Sequence, residues 1–235
     1  MAGLRPFRNI PRNLSEWASW CQRQDIGEAN SSEFETIAVS DNAVINDMTV
    51  TGQITTTGDG WEDITADLSA GKAVGANAPT WAAFRNGISA YRFHQTTMNE
   101  LWVTFHITHQ YRKNTDIYPH IHWAPNTTST GTVRWAIEYT FAKGHDQEAF
   151  PASTTIYLEH TIASNKQYQH IITETSEAAA FGAGDIEIDG LLLCRIFRDA
   201  GNAADTFPDP VFALTADIHF EVGQITSPNK SAPFF

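Results

Sequence analysis

From Gly60 onward, apolar and polar residues alternate in short runs separated by turn-forming clusters. The runs are WEDITADL, SAYRFHQ, ELWVTFHITH, IYPHIHWA, TVRWAIEYTFA, TTIYLEHTI, QYQHIITET, LLLCRIFRDA and VFALTADIHFEV. Period two is the signature of a strand with one buried face. The intervening KNTD, APNTTSTG, AKGHDQEAFPAS, IASNK and GNAADTFPDP supply the Gly, Pro, Asn and Asp that turns need. Helical periodicity is nearly absent, and only residues 174–184 offer a turn or two. Eight or nine strands joined by loops of very unequal length predict an all-β, jelly-roll-like β-sandwich over residues 60–235.

The chain before Gly60 is built differently. In residues 1–27, Asn13 and Glu16 fit a capping box, and Leu14, Trp17, Ala18 and Cys21 follow at helical spacing. This predicts a short N-terminal helix of about three turns, too short to be stable alone. Its two tryptophans need a surface, and docking into a partner is the expectation. Residues 28–59 are poor in large side chains, but Met48, Val50, Gly52 and Ile54 alternate with polar positions. One thin strand cannot fold by itself. Several copies wrapped together close one another's open edges, which predicts an extended β stalk.

Charge supports this division. The whole chain carries −12, yet residues 1–23 carry Arg5, Arg8, Arg12 and Arg23 against Glu16 alone. An acidic body argues against nucleic acid as a partner, because counterion displacement requires clustered Lys and Arg. A basic arm on such a body points to docking at a separate place. Cys21 and Cys194 belong to no paired or zinc-ligand spacing and read as free thiols. No apolar run approaches the roughly 18 residues that span a bilayer, so no membrane insertion is expected. The N-terminus has no apolar core of the kind found in secretory signals.

Four of the nine histidines fall within FHITHQYRKNTDIYPHIHW, residues 105–123. Alternation puts Leu101, Val103, Phe105 and Ile107 on one face, and Ile117, Pro119, Ile121 and Trp123 on one face of the next strand. An antiparallel hairpin across QYRKNTD brings His106, His120 and His122 together on the more polar face, with His109 at the core side or rim. Three imidazoles on a sheet face invite a zinc reading. His-Ile-His-Trp locally resembles His-Phe-His-Trp of carbonic anhydrase, but no further strand-borne histidine with acidic neighbours follows, and His145 lies in a loop. Cupins want Gly and Glu where Asn114 and Asn126 stand. The expectation is therefore a structural polar cluster, with no metal and no cofactor. Asp185, Glu187 and Asp189 read as a solvated strand end or turn rather than a calcium site. Trp81, Tyr91, Trp102, Trp123 and Trp135 could stack on sugars, although most are expected in the core or at an interface. No nucleophile elbow, Walker loop or dinucleotide fingerprint occurs, and no catalytic residue is assigned.

The stretch DMTVTGQITTTG, residues 47–58, resembles the short β connectors of bacteriophage fibres. Residues 61–235 are similar to C-terminal domains of tailed-phage virion proteins. The likeness lies in Trp61-x-Asp63, the Phe-His-x-x-His and Tyr-Pro-His-Ile-His-Trp runs, and LLLCRIFRDA…DTFPDPVFALTADIHFEV. RNIPRNLSEWASW likewise looks like the basic, Trp-containing leaders of such proteins. The resemblance implies a virion structural protein and no enzyme. It would be a homotrimeric fibre or decoration protein, assembled in host cytoplasm and contacting capsid or tail proteins through residues 5–24. In this reading Arg8, Pro11, Arg12, Trp17 and Trp20 anchor it to the particle, Met48, Val50 and Ile54 form the trimer stalk, and the head is offered to a host-surface glycan. The alternatives are a capsid cement protein or a virion-borne metal-dependent or glycan-cleaving enzyme.

Overall fold

The computed structural model describes residues 60–73, 75–176 and 186–234. The anchoring residues Arg8, Pro11, Arg12, Trp17 and Trp20 lie outside them, as do the stalk residues Met48, Val50 and Ile54 and most of the expected helical turn at 174–184. The described chain forms two antiparallel sheets. Its strands are β1 (Trp61–Asp67), β2 (Thr80–Arg85), β3 (Ile88–Phe93), β4 (Glu100–His106), β5 (Ile117–Pro125), β6 (Gly131–Ala142), β7 (Thr154–Ile162), β8 (Ile171–Glu174), β9 (Leu191–Arg198) and β10 (Val211–Glu221). The larger sheet runs β2-β3-β10-β5-β8, and β1 pairs with β10 beyond the end of β3. The smaller sheet runs β4-β9-β6-β7. This is a β-sandwich of jelly-roll type. Among the described residues no helix is long and apolar enough to cross a membrane.

The alternation seen in the sequence becomes the core. Leu101, Val103 and Phe105 of β4, Val133, Trp135 and Ile137 of β6, and Leu192, Cys194 and Ile196 of β9 meet Ile117, Ile121 and Trp123 of β5 and Ala216, Ile218 and Phe220 of β10. Trp123 and Trp135 touch edge to face across the sandwich, their centroids 6.2 Å apart. The burial of so much aromatic and branched surface on both inner faces is the main stabilising term. Cys194 is a free thiol facing this interior, and burial pushes its pKa up. It is therefore expected to resist iodoacetamide in the native chain and to react once denaturant opens the sandwich. Peptide mass mapping of Cys194 checks this, and labelling at equal rates in both states would contradict it.

One expected pairing does not form. β4 and β5 are not a hairpin: β4 pairs with β9 in one sheet, while β5 pairs with β10 and β8 in the other. The segment between them crosses the sandwich and is stitched to the end of β10 by Arg112 N–H donating to Glu221 O and Gly223 N–H donating to Gln110 O. Both strands do turn their odd-numbered residues inward, as alternation required. In a sandwich, however, two strands on opposite sheets face the same core as readily as two neighbours do. Parity therefore assigns faces without assigning sheets, and His106 is separated from His120 and His122.

The loop after β9 closes one end. Gly131, at φ 140°, passes so near it that a Cβ would sit 2.7 Å from Thr206 O and 2.8 Å from Phe207 Cα. Thr206 and Phe207 N–H groups both donate to Thr132 O, at 2.8 and 2.9 Å. A residue other than glycine would force these backbones apart.

Candidate functional site

The polar face of the larger sheet is assembled by register. Opposite one another across β1 and β10 stand Asp63 and His219, then Thr65 and Asp217. Across β10 and β5, Asp217 stands opposite His120 and Thr215 opposite His122. Across β5 and β8, His120 stands opposite Glu174. Period two then turns His120, His122, Asp217, His219, Asp63 and Glu174 to the same side.

His120 lies at the centre and is only 1% exposed. Its ring stacks on His219 with centroids 4.1 Å apart and planes 28° apart, and is tilted 47° from His122 at 5.0 Å. Its Nε2 lies 3.7 Å from Asp63 Oδ1 and 3.8 Å from Asp217 Oδ2. Nδ1 is 3.3 Å from Tyr118 O, an acceptor that this nitrogen satisfies in the tautomer with its proton on Nδ1. His122 Nε2 is 3.0 Å from Asp217 Oδ2, and its Nδ1 is 2.7 Å from His170 Nε2. His219 Nε2 is 3.1 Å from Asp63 Oδ1, and its Nδ1 contacts Glu174. Asp217 Oδ1 accepts from the Thr215 hydroxyl at 3.0 Å.

Burial pushes the His120 pKa down, and His219 adds to this against the opposing effects of the Tyr118 carbonyl, Asp217 and Asp63. Burial likewise lowers His122, outweighing the attraction of Asp217. Both shifts favour the neutral imidazole, the form that offers a lone pair.

His106 belongs to a second cluster. Its Nε2 lies 3.2 Å from Asp189 Oδ1, His109 Nε2 lies 3.1 Å from the same oxygen, and His145 Nε2 donates to Asp189 Oδ2 at 2.9 Å. Asp189 sits in a turn at φ 63°, pinned to the end of β4 by its N–H donating to Ile107 O at 3.0 Å. Burial raises the Asp189 pKa, but the His145 hydrogen bond and the fields of His109, His106 and His145 hold it below the usual value. The turn expected around Asp189 is present, and Glu187 accepts from His145 N–H at 3.0 Å. Asp185 lies outside the described residues. His109 sits at the rim, as expected, against Ser227 and the Phe234 ring.

Of the candidate sugar-stacking aromatics, Trp123 and Trp135 are core, whereas Trp81 is half exposed and edge-on to Tyr91. The best-placed aromatic was not among them. Trp61, 49% exposed, stands edge-on to Tyr118 at 5.7 Å. Together with Glu174, Thr175 and His219 these two line a shallow cavity of about 290 Å³ beside the histidine face. Asp63, Asp217, His219, Glu174 and His170 were also missed. Asp217 and His219 do alternate with apolar neighbours in TADIHF, but nothing local says that this strand lies beside IYPHIHW.

No protein-family model matches the sequence, and no curated protein matches it. Among solved structures, the chain is similar to carbohydrate-binding and catalytic modules of a Clostridium thermocellum endo-1,4-β-D-xylanase complexed with xylohexaose. Identity is 9% and the TM-score 0.34, covering 69% of this chain and 28% of that one. A carbohydrate-binding module specific for non-crystalline cellulose matches at 13% identity and TM-score 0.26, over 70% of this chain and 87% of its own. Desmodium yellow mottle tymovirus matches at 10% identity and TM-score 0.24, over 81% of this chain and 100% of its own. None of the three bears on what this chain binds.

Proposed function

We propose that the chain is a structural component of a tailed-phage particle, a homotrimeric fibre or decoration protein whose sandwich head attaches to a host-surface glycan. The observation that carries the attachment role is the Trp61–Tyr118 cleft. Exposed Trp61 with partly buried Tyr118 beside it gives sugar rings an apolar face to lie on, and Glu174, Thr175 and His219 nearby offer hydrogen bonds to hydroxyls. A cavity of this size suits one small polar ring rather than a large apolar ligand. The resemblance of residues 61–235 and of the basic leader to phage virion proteins supports the particle context. Arg8, Pro11, Arg12, Trp17 and Trp20 are the anchor in this reading, and Met48, Val50 and Ile54 the stalk that three chains share.

Two measurements on the full chain test it. In pull-down on purified host-surface polysaccharide, Trp61→Ala is expected to weaken binding at least about tenfold without moving the melting midpoint. In particle association, Trp17→Ala with Trp20→Ala is expected to release the chain while the head stays folded. Polysaccharide binding unchanged by Trp61→Ala contradicts the cleft assignment, and tight particle binding by the double variant contradicts the anchor. Sedimentation of wild type at three times the chain mass is the expected assembly state, and a stable monomer contradicts it.

A further inference from the structure

We propose that His120, His122 and Asp217 bind one divalent ion of the zinc class, cross-linking β5 to β10 on the polar face of the larger sheet. One donor atom from each of the three lies within 4.8 Å of the others. Asp217 Oδ2 is 3.0 Å from His122 Nε2 and 3.8 Å from His120 Nε2. Ligands about 2.0–2.2 Å from a tetrahedral zinc stand roughly 3.3–3.6 Å apart, so small side-chain movements close this set around an ion.

The arrangement is hard to understand without a cation. A proton on His120 Nδ1, donated to Tyr118 O, leaves the lone pair on Nε2, which lies 3.7 Å from Asp63 Oδ1 and 3.8 Å from Asp217 Oδ2. His122 Nε2 is buried and has no hydrogen-bond partner, although a carboxylate oxygen is 3.0 Å away. Asp217 is itself buried, and the ionic contacts of Asp63, Asp217 and Glu174 are to histidines, with no Lys or Arg among the described residues. A buried carboxylate such as Asp217, without Lys or Arg beside it, is costly unless a positive charge is supplied.

The outer contacts also suit a metal. His122 with Nε2 on the ion keeps its proton on Nδ1 and donates it to His170 Nε2 at 2.7 Å, and Thr215 holds the second oxygen of Asp217. A second set, Asp63, His120 and His219, shares His120. Both ring nitrogens of His219 already meet carboxylates, Glu174 and Asp63, whereas His122 Nε2 lacks a hydrogen-bond partner, and this favours the set with His122.

The test is a competition titration of the full chain with Zn²⁺ against a chromophoric chelator. The expected result is one ion per chain, with affinity lowered at least about 100-fold by His122→Ala and by Asp217→Asn. His219→Ala, whose ring packs on His120, is expected to weaken binding less than His122→Ala does, and His145→Ala, at Asp189, to stay within about threefold of wild type. Absence of binding, binding that survives His122→Ala, a loss on His219→Ala as large as that on His122→Ala, or loss on His145→Ala each overturns the assignment. Cobalt substitution of the wild-type chain gives a readout free of folding defects in variants. Intense visible bands of a low-coordinate nitrogen-ligated ion support the site, and a pale six-coordinate spectrum overturns it.

Discussion

Replacing Arg198 with alanine is expected to cost the sandwich about 3–5 kcal/mol, read as a lowered midpoint in urea unfolding. The reason is an ion pair with neither side chain in contact with water. Arg198 is 0% exposed at its side chain and Asp205 1%. The guanidinium meets the carboxylate with two bonds, Nε to Oδ2 at 2.9 Å and a terminal nitrogen to Oδ1 at 2.7 Å. Two further donors go to the Asp209 and Phe207 carbonyls, both at 2.7 Å. Asp205 Oδ2 also accepts from Arg134 N–H at 3.1 Å, so the pair fastens the closing loop to β6. Truncating the arginine strands a carboxylate and two carbonyls in an apolar interior. Removing both charges, as Arg198→Met with Asp205→Leu, is expected to restore much of the loss, because the burial cost then disappears with the attraction. A loss under about 1 kcal/mol for the single substitution would mean that water reaches the pair.

Trp123→Ala is the second large effect, expected at about 3–5 kcal/mol. Trp123 is fully buried, meets Trp135 and His160 edge-on, and donates from Nε1 to Thr173 Oγ1 at 2.8 Å. Alanine removes the contact that ties the two sheets at their middle and leaves a cavity the rigid strands cannot fill. Trp123→Phe keeps most of the apolar volume and loses the Thr173 bond, so about 1–2 kcal/mol is expected. Thermal or urea unfolding of the two variants separates these terms, and equal losses would show that the hydrogen bond, not the packing, dominates.

These two residues show what was legible beforehand. Trp123 announced its burial through alternation with Ile117, Pro119 and Ile121, and nine of the ten strands among the described residues followed from the same signal. β2 did not, because TWAAFR exposes four of its six positions and carries alanines where a buried face would need bulk. Arg198 gave no sign of burial, since its partners come from a loop whose path is set only by the folded sheets. The histidine face was half legible. His120 and His122 share a side, as period two required, but the hairpin with β4 was wrong, and Asp217 reaches them from a strand some ninety residues further on. Local pattern fixes which way a side chain points. Which strand lies beside it is a property of the closed sandwich.

The central claim is that this chain is part of a phage particle, and mass spectrometry of purified particles from cells producing it tests that most directly. The account predicts the full chain in the particle at a fixed copy number divisible by three. Recovery of the chain only in the cell lysate, with purified particles lacking it, would contradict the account.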